Sequence, residues 1–188
     1  MALIDPANRT LRVRVVYTGP AGSGKTTNLR QIAALAPAHA RGELVSIEAS
    51  DQRTLLRDDL PLDLGEIEGW RVLADLSSVP GQPALTAERQ AVLAGADAVV
   101  FVADSDPARQ QPAAACMAEL RALLQSALRP EMPVVLQINK RDLGAALPED
   151  AIAQPLGAVA EAIPAVAVSG EGVFETLRAA CRLAVRNA

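Results

Sequence analysis

The segment with the most specific chemistry runs from Gly19 to Thr26, where the letters GPAGSGKT match the phosphate-binding pattern G-x-x-x-x-G-K-[ST]. A strand-like run precedes it and apolar residues at helical spacing follow it, so the glycines fall between a strand and a helix. In that setting successive backbone N–H groups point at a polyphosphate. Lys25 would place positive charge on the β- and γ-phosphates, and the Thr26 hydroxyl would bind Mg²⁺. The residues predicted to contact the nucleotide here are Gly19, Ala21, Gly22, Ser23, Gly24, Lys25, Thr26 and Thr27.

A second motif indicates the base. Residues 133–138 form a short apolar run typical of a buried strand, and it leads directly into Asn139-Lys140-Arg141-Asp142. The Asp142 carboxylate can accept hydrogen bonds from the ring N–H and the exocyclic amine of guanine, a donor pair that adenine lacks. Asn139 can bond the N7 edge and tie this loop to the P-loop, while the Lys140 stem can lie over the base. A mismatched base would leave buried polar groups unpaired, so the motif favours GTP over ATP.

The composition is typical of a small cytoplasmic protein. The chain has 188 residues, of which 50% are hydrophobic, and this predicts a single domain over residues 1–188 with one substantial core. A formal net charge of −4 without a basic run argues against nucleic acid as a partner. Cys116 and Cys181 are expected to be buried free thiols in a reducing compartment. No secretion signal, prenylation cysteine or membrane-spanning run is evident, so we expect any membrane contact to go through partners.

Strand and helix signals alternate along the chain, which predicts an α/β fold with right-handed crossovers and helices on both faces of a mostly parallel sheet. Gly69 separates two strand-like runs and indicates one antiparallel pair. Strands are predicted near residues 11–18, 43–47, 62–67, 70–77, 97–103, 133–138 and 163–168. Helices are predicted near residues 25–36, 84–94, 111–128 and 172–186, with a weaker one near 149–162 that Pro155 interrupts.

Two loops between these elements have the residues to sense a γ-phosphate. The first covers residues 50–59, where Thr54 could reach Mg²⁺ when a third phosphate is present. The second contains Gly81, whose N–H could approach the γ-phosphate, and Gln82, which could orient the attacking water. Loops that are held by the γ-phosphate and released on hydrolysis are the physical basis of a GTPase switch.

Several segments resemble the MglA family of prokaryotic Ras-like gliding-motility GTPases, which implies a P-loop NTPase (Ras-like) fold. The segments are Arg53-Thr54-Leu55, LPLDLG at 60–65, VPGQ at 79–82, VVFVADS at 99–105 and GVFETL at 172–177. The resemblance implies a GTP-hydrolysing switch in bacterial motility or cell polarity, recruited to cell poles by partners. It further implies GTP-dependent effectors and a roadblock-domain (MglB-like) activating protein. In that family Arg53 would be an intrinsic arginine finger, Gln82 would position water, and Thr54 would join Thr26 at Mg²⁺.

The chain also departs from that pattern. Ser78 stands where most Ras-like proteins have an Asp that holds Mg²⁺ through water, and Ala21 replaces a usual Gly and predicts slow hydrolysis. Residues 55–59 and 83–84 lack the aromatics of the family's switch surface, which counts against the usual roadblock partner. The loop from Ala167 through Val168 is a loose version of the Ser-Ala-Lys loop that would contact guanine mainly by backbone.

Two other functions remain open from the residues alone. Changes at Ala21, Ser78 and the switch surface would also suit a catalytically weak pseudo-GTPase that acts as a nucleotide-dependent binding module. A P-loop kinase that uses ATP is a further alternative, which the comparison of GTP with ATP affinity would decide.

Overall fold

A computed structural model describes residues 2–47, 57–67, 69–79, 86–127 and 129–187. The strands of this part are β1 (Leu3–Asp5), β2 (Thr10–Thr18), β3 (Val45–Ile47), β4 (Arg57–Ile67), β5 (Trp70–Ser78), β6 (Ala98–Asp104), β7 (Val134–Asn139) and β8 (Glu161–Pro164). Its helices are α1 (Lys25–Leu35), α2 (Thr86–Ala94), α3 (Gln110–Ser126), α4 (Glu149–Leu156) and α5 (Val173–Arg186). Short 3₁₀ turns occupy Ala38–Ala40 and Pro107–Arg109.

The strands form one mixed sheet in the order β3-β4-β5-β2-β6-β7-β8, with β1 paired to the first part of β2. The four pairings from β5 to β8 are parallel, which confirms the predicted α/β fold with a mostly parallel sheet. The predicted antiparallel hairpin is the pair β4–β5 around Gly69. The three-residue strands β1 and β3 add two further antiparallel pairings, to β2 and β4.

Apolar side chains alternate between the two faces of the sheet and meet helices on both. On one face, Val15 belongs to the same buried cluster as Leu29 of α1 and Leu177 of α5. On the other face, Phe101 belongs to a cluster with Met117 of α3. Each such fully buried side chain contributes about 1.5–3 kcal/mol by leaving water. Burial on both faces fixes the sheet between helices and orders its carboxyl edge.

The weak helix predicted over 149–162 is wrong in its second half. Helix α4 ends at Leu156, and Gly157 follows with φ 76° and ψ −165°, an extended conformation with positive φ that favours glycine and cannot continue the helix. The Arg121 guanidinium donates to the carbonyls of Leu156 and Ala158, which satisfies backbone groups just past the helix end. The chain then pairs with β7 as β8, so this strand begins and ends earlier than the predicted 163–168.

Both cysteines are buried and neither forms a disulfide bond, as predicted. Burial raises the pKa of the Cys181 thiol to about 12, so this thiol stays protonated at neutral pH. Within the described ranges, every helix is either too short or too polar to cross a lipid bilayer.

Candidate nucleotide-binding site

The P-loop joins the end of β2 to the start of α1, as its sequence predicted. Gly22 and Gly24 take left-handed φ angles of 76° and 106°. At Gly24 a Cβ would lie 2.2 Å from Asn139 Nδ2, so a larger residue would push the base-recognition loop away. The first helical residue is Lys25, so the free N–H groups of α1 face the loop.

Lys25 is buried inside this loop. Its Nζ donates to the carbonyl oxygens of Gly19 and Pro20, at 2.9 and 2.8 Å. Ala21 and Gly22 are exposed at the rim, whereas Thr26 and Thr27 are half-buried in the first turn of α1. Ser23 is buried, and its Oγ has no hydrogen-bond partner among the described residues. The structure therefore brings all the predicted P-loop residues into one cradle at the helix start.

A buried carboxylate lies against this cradle, in a group of side chains that we call the Asp58 cluster: Thr26, Ser46, Asp58 and Ser78. Thr26 Oγ1 donates to Asp58 Oδ2 at 2.7 Å, and Ser78 Oγ donates to the same oxygen at 3.1 Å. Ser46 Oγ donates to Asp58 Oδ1 at 2.7 Å. Asp58 is only 2% exposed, and a carboxylate so buried needs these donors to offset its lost hydration.

Sequence reasoning missed Asp58 because it assigned residues 50–59 to a switch loop. That boundary is wrong: β4 begins at Arg57, and Asp58 is part of it. A strand-period signal was present, since Asp58 is in phase with Leu60 and Leu62, which are both buried. An acidic residue at an inward position of a strand needs a partner, and this one faces the P-loop threonine.

The Asp58 cluster also explains the serine at position 78. The antiparallel register pairs Asp59 with Ser77, which places Asp58 beside Ser78 at the end of β5. A hydrogen bond of 3.2 Å from the Asp58 N–H to Ser78 Oγ fixes this contact. The neighbouring strand β4 thus places a carboxylate beside position 78, where β5 has a serine.

The oxygen atoms of the Asp58 cluster are suitable ligands for Mg²⁺. This ion prefers hard oxygen ligands such as carboxylates and hydroxyls. Because Thr26 Oγ1 gives its proton to Asp58, its lone pairs remain available to a cation. A cation would also supply the positive charge that the buried carboxylate lacks among its hydroxyl partners.

The part of the site predicted to bind guanine is centred on Asn139, the last residue of β7. Its Nδ2 donates to the carbonyl of Ser23 at 2.8 Å, so the predicted tie to the P-loop is present. Its Oδ1 accepts from the Ala167 N–H at 2.9 Å. One buried side chain therefore joins the phosphate loop, the base-recognition loop and the loop after β8.

Lys140 and Asp142 follow at the rim. Lys140 adopts a positive φ of 63°, which is uncommon for a residue with a side chain and is typical of functional loops. Its Nζ forms an ion pair of 2.7 Å with Asp104, which is buried at the end of β6 and which sequence reasoning did not select. The Asp142 side chain is exposed, so its carboxylate can accept hydrogen bonds from a ligand.

Comparison with known proteins places the chain in a family. The sequence is 40% identical over 188 residues to the mutual gliding-motility protein MglA of Myxococcus xanthus (strain DK1622), which covers 97% of this chain and 95% of that protein. This chain belongs to the MglA family. No protein-family model matches it. The resemblance carried by the motifs is confirmed, and membership identifies the chain as a small GTPase of the guanine-nucleotide-binding type.

In this MglA-family chain the loop after β8 is attached to α1. Gln31 Nε2 donates to the carbonyl of Val168 at 2.7 Å, whereas the Val168 side chain is 69% exposed. The Ala167 N–H, predicted to face the base, donates to Asn139 instead. Ala167 therefore orients Asn139 in this structure, and a direct contact between its backbone and guanine stays a prediction. The contact from Gln31 carries no signal in the sequence.

Four predicted site residues, Arg53, Thr54, Gly81 and Gln82, lie outside the described residues. Their assigned roles at Mg²⁺, the γ-phosphate and the attacking water stay predictions.

Proposed function

We propose that this chain is a Mg²⁺-dependent molecular switch that binds GTP and hydrolyses it to GDP and phosphate. The observation that carries the proposal is the position of Asn139, which contacts Ser23 of the P-loop and lies three residues before Asp142. The phosphate motif and the guanine motif are thus held at one edge of the sheet by a direct hydrogen bond. A single nucleotide can span them.

At the base, Asp142 would accept from the ring N–H and the exocyclic amine of guanine. Lys140 Nζ pairs with Asp104, and in the proposed complex the Lys140 stem would lie along the base plane. Asn139 would add the N7 edge to its existing contacts. Recognition by paired polar groups rejects adenine strongly, because adenine would leave the Asp142 carboxylate without donors.

At the phosphates, Lys25 and the N–H groups of the loop from Gly19 to Gly24 would bind the β- and γ-phosphoryl oxygens. Lys25 now bonds two loop carbonyls, so phosphate oxygens would compete for a charge that is already held in place. When bound, Mg²⁺ neutralises charge on the phosphates and the leaving group. Thr26 and Thr54 would hold the ion, and Asp58 would orient Thr26 and complete the negative charge of the site.

For hydrolysis we assign three roles. Gln82 positions the attacking water, while Lys25 and Arg53 stabilise the charge that develops on the transferring phosphoryl group. An arginine in that role contributes on the order of a thousandfold or more. Ala21 adds a methyl group at the exposed rim of the P-loop, so we expect slow turnover without an activating partner.

In the cell, we infer that the switch acts in bacterial motility or polarity, because its M. xanthus relative is a gliding-motility protein. Residues 1–188 would form one G domain that works in the cytoplasm and reaches cell poles through protein partners. GTP-dependent effectors and a roadblock-domain (MglB-like) activating protein are the partner classes, the latter with an interface altered by the loss of switch aromatics.

Nucleotide binding and single-turnover hydrolysis test this proposal. The purified protein is titrated with fluorescent mant-GDP, mant-GTP and mant-ADP in the presence of Mg²⁺, and phosphate release from GTP is then followed. We expect guanine nucleotides to bind, adenine nucleotide not to bind, and phosphate release to disappear in Lys25→Ala. Guanine binding without any phosphate release, with or without a roadblock protein, would instead indicate a nucleotide-dependent binding module. Tighter binding of mant-ADP than of mant-GDP would point to an ATP-using kinase.

Arg53→Ala tests the finger separately. We expect it to slow phosphate release while leaving mant-GDP affinity unchanged, since the charge it stabilises exists only during the reaction. An unchanged rate would remove Arg53 from the mechanism.

A further inference from the structure

Two carboxamide side chains form a closed pair deep under the nucleotide site. Asn28 of α1 and Gln137 of β7 are both 0% exposed. Asn28 Nδ2 donates to Gln137 Oε1 at 2.7 Å, and Gln137 Nε2 donates back to Asn28 Oδ1 at 2.9 Å. We refer to Asn28 and Gln137 as the amide pair.

The remaining N–H of each amide is also used. Asn28 Nδ2 donates to the carbonyl of Gly24 at 3.0 Å, and Gln137 Nε2 donates to Thr176 Oγ1 at 3.0 Å. Thr176 Oγ1 in turn donates to the carbonyl of Gly172 at 2.7 Å. Both donors and the acceptor of each carboxamide are therefore satisfied without water.

The partners of the amide pair sit where the three loops of the site begin or end. Asn28 lies one turn after Lys25, and Gln137 lies two residues before Asn139 on the same face of β7. Thr176 is in the first turn of α5, which follows the loop containing Ala167. The amide pair thus links the P-loop helix, the guanine strand and the helix after the base loop in a layer below Asn139.

Apolar residues at these positions would tolerate small shifts of one element past another, because apolar packing is not directional. A reciprocal amide pair does not, since any shift would leave buried donors unpaired. Asn139 sits two residues along β7 and bonds the P-loop at 2.8 Å, so a shift of β7 would be passed directly to the base-recognition residues.

We propose that the amide pair is a positioning device that sets the distance between the phosphate loop and the guanine-recognition loop, and so controls nucleotide retention and base selectivity. This inference rests on the proposed guanine-nucleotide binding. Asn28 and Gln137 are fully buried and would not touch the nucleotide; they act through Gly24 of the P-loop and through Asn139 farther along β7.

The test separates positioning from stability by removing both amides together. In Asn28→Leu the Gln137 amide loses both hydrogen bonds to Asn28 and keeps only the one to Thr176, so we expect reduced thermal stability. In the double variant Asn28→Leu with Gln137→Met, both partners become apolar with similar shape, which is close to neutral for folding. We expect the double variant to regain most of the lost melting temperature.

Nucleotide measurements on the folded double variant then decide the matter. We expect mant-GDP release in Mg²⁺ to be faster by about tenfold or more, as small misplacements of binding groups commonly produce. We also expect the ratio of GDP affinity to IDP affinity to fall. IDP lacks the exocyclic amine of guanine, so this ratio isolates the contact between that amine and Asp142. Cys181→Ala, a buried change in α5 outside this network, is the control that lowers stability without altering release.

Thr176→Val gives an independent variant in case the double variant does not fold. It keeps the side-chain shape but removes the acceptor for Gln137, and we expect release to be about threefold faster, on the scale of one neutral hydrogen bond. A folded variant with wild-type release and a wild-type GDP to IDP ratio would overturn the positioning role. A wild-type protein that retains no guanine nucleotide would overturn the proposed function and this inference together.

Discussion

The proposed guanine-binding end and the proposed Mg²⁺-binding end of this site, called the guanine end and the metal end below, are built in different ways. At the guanine end, Asn139, Lys140 and Asp142 are near neighbours in sequence and leave one parallel strand, β7. At the metal end, the four side chains of the Asp58 cluster come from α1, β3, β4 and β5. The first end depends on the position where one strand stops, whereas the second depends on the register between an antiparallel hairpin and its neighbours.

This difference indicates that different strands can supply the same functional group to a site. The residues of the guanine motif follow a single strand and are close together in the sequence, so the motif can be recognised from the sequence alone. A carboxylate beside the P-loop threonine needs only the right place in space, and an antiparallel neighbour can provide it. Asp58 on β4 bonds both Thr26 and Ser78, so its carboxylate lies beside position 78 and next to the P-loop threonine.

The largest expected effect comes from a substitution at the guanine end alone. Asp142→Asn replaces an acceptor with an amide that cannot take both guanine N–H groups, and we expect GDP affinity to fall by about a hundredfold or more. Affinity for a xanthine nucleotide, which carries a carbonyl in place of the amine, should rise. Isothermal titration with both nucleotides measures the change, with Glu171→Gln as an exposed control. Unchanged GDP affinity would show that another group reads the base.

A second change breaks the metal end. Asp58→Asn removes the buried negative charge but keeps the side-chain shape, and we expect Mg²⁺-dependent GDP affinity to fall by about ten- to a hundredfold, as for other groups that orient metal ligands. Titration of mant-GDP with and without EDTA measures it. Asp59→Asn, on the opposite face of β4, is the matched control.

The double variant Asp58→Ser with Ser78→Asp returns the carboxylate to β5. If the place of the carboxylate matters rather than its strand, this variant should regain part of the Mg²⁺ response lost in Asp58→Asn. A double variant that responds no better than Asp58→Asn would show that β4 itself is required.

A smaller effect concerns turnover. Ala21 does not take a positive φ, so Ala21→Gly removes a methyl group without relieving any backbone strain. We expect single-turnover GTP hydrolysis to accelerate by about tenfold or less, a barrier change of up to about 1.4 kcal/mol, while GDP affinity stays the same. A rate equal to that of the wild type would place the cause of slow turnover elsewhere.

The smallest effect lies on the β4–β5 hairpin away from the site, and it tests whether the register that positions Asp58 depends on surface charge. A hydrogen bond from Arg71 holds the pKa of Asp63 below its ordinary value. A depressed pKa stabilises the fold above the unfolded pKa of about 4, and this contribution is lost as the pH falls through the folded value. Since the pair is at the surface, Asp63→Asn should cost less than about 1 kcal/mol at pH 7.

Thermal unfolding of Asp63→Asn and the wild type at pH 7 and pH 3 checks this. The difference in melting temperature should shrink at the lower pH, and Mg²⁺ dependence should be unchanged at pH 7. A larger difference at pH 3 would contradict the sign of the pKa shift.

Much of this fold could be predicted from the sequence, because the hydrophobic periodicity and the glycine and proline residues between elements indicate the same boundaries. The P-loop falls between β2 and α1 as predicted, and β7 covers residues 134–139, one residue later at each end than the predicted 133–138. The register between β4 and β5 could not be predicted, because no local pattern in the sequence indicates that Asp58 lies beside Ser78. Weak helix signals over residues 157–162 led to a wrong prediction, because the positive φ of Gly157 ends the helix and pairing with β7 makes a strand at 161–164.

The most direct test of the account is displacement of mant-GDP from the wild-type protein by excess GDP or ADP, in Mg²⁺ and again in EDTA. If Asp142 recognises guanine, GDP displaces mant-GDP and ADP does not. If the Asp58 cluster helps to hold Mg²⁺, EDTA weakens mant-GDP retention by about tenfold or more. Equal displacement by ADP would contradict the guanine end, and retention unaffected by EDTA would contradict the metal end.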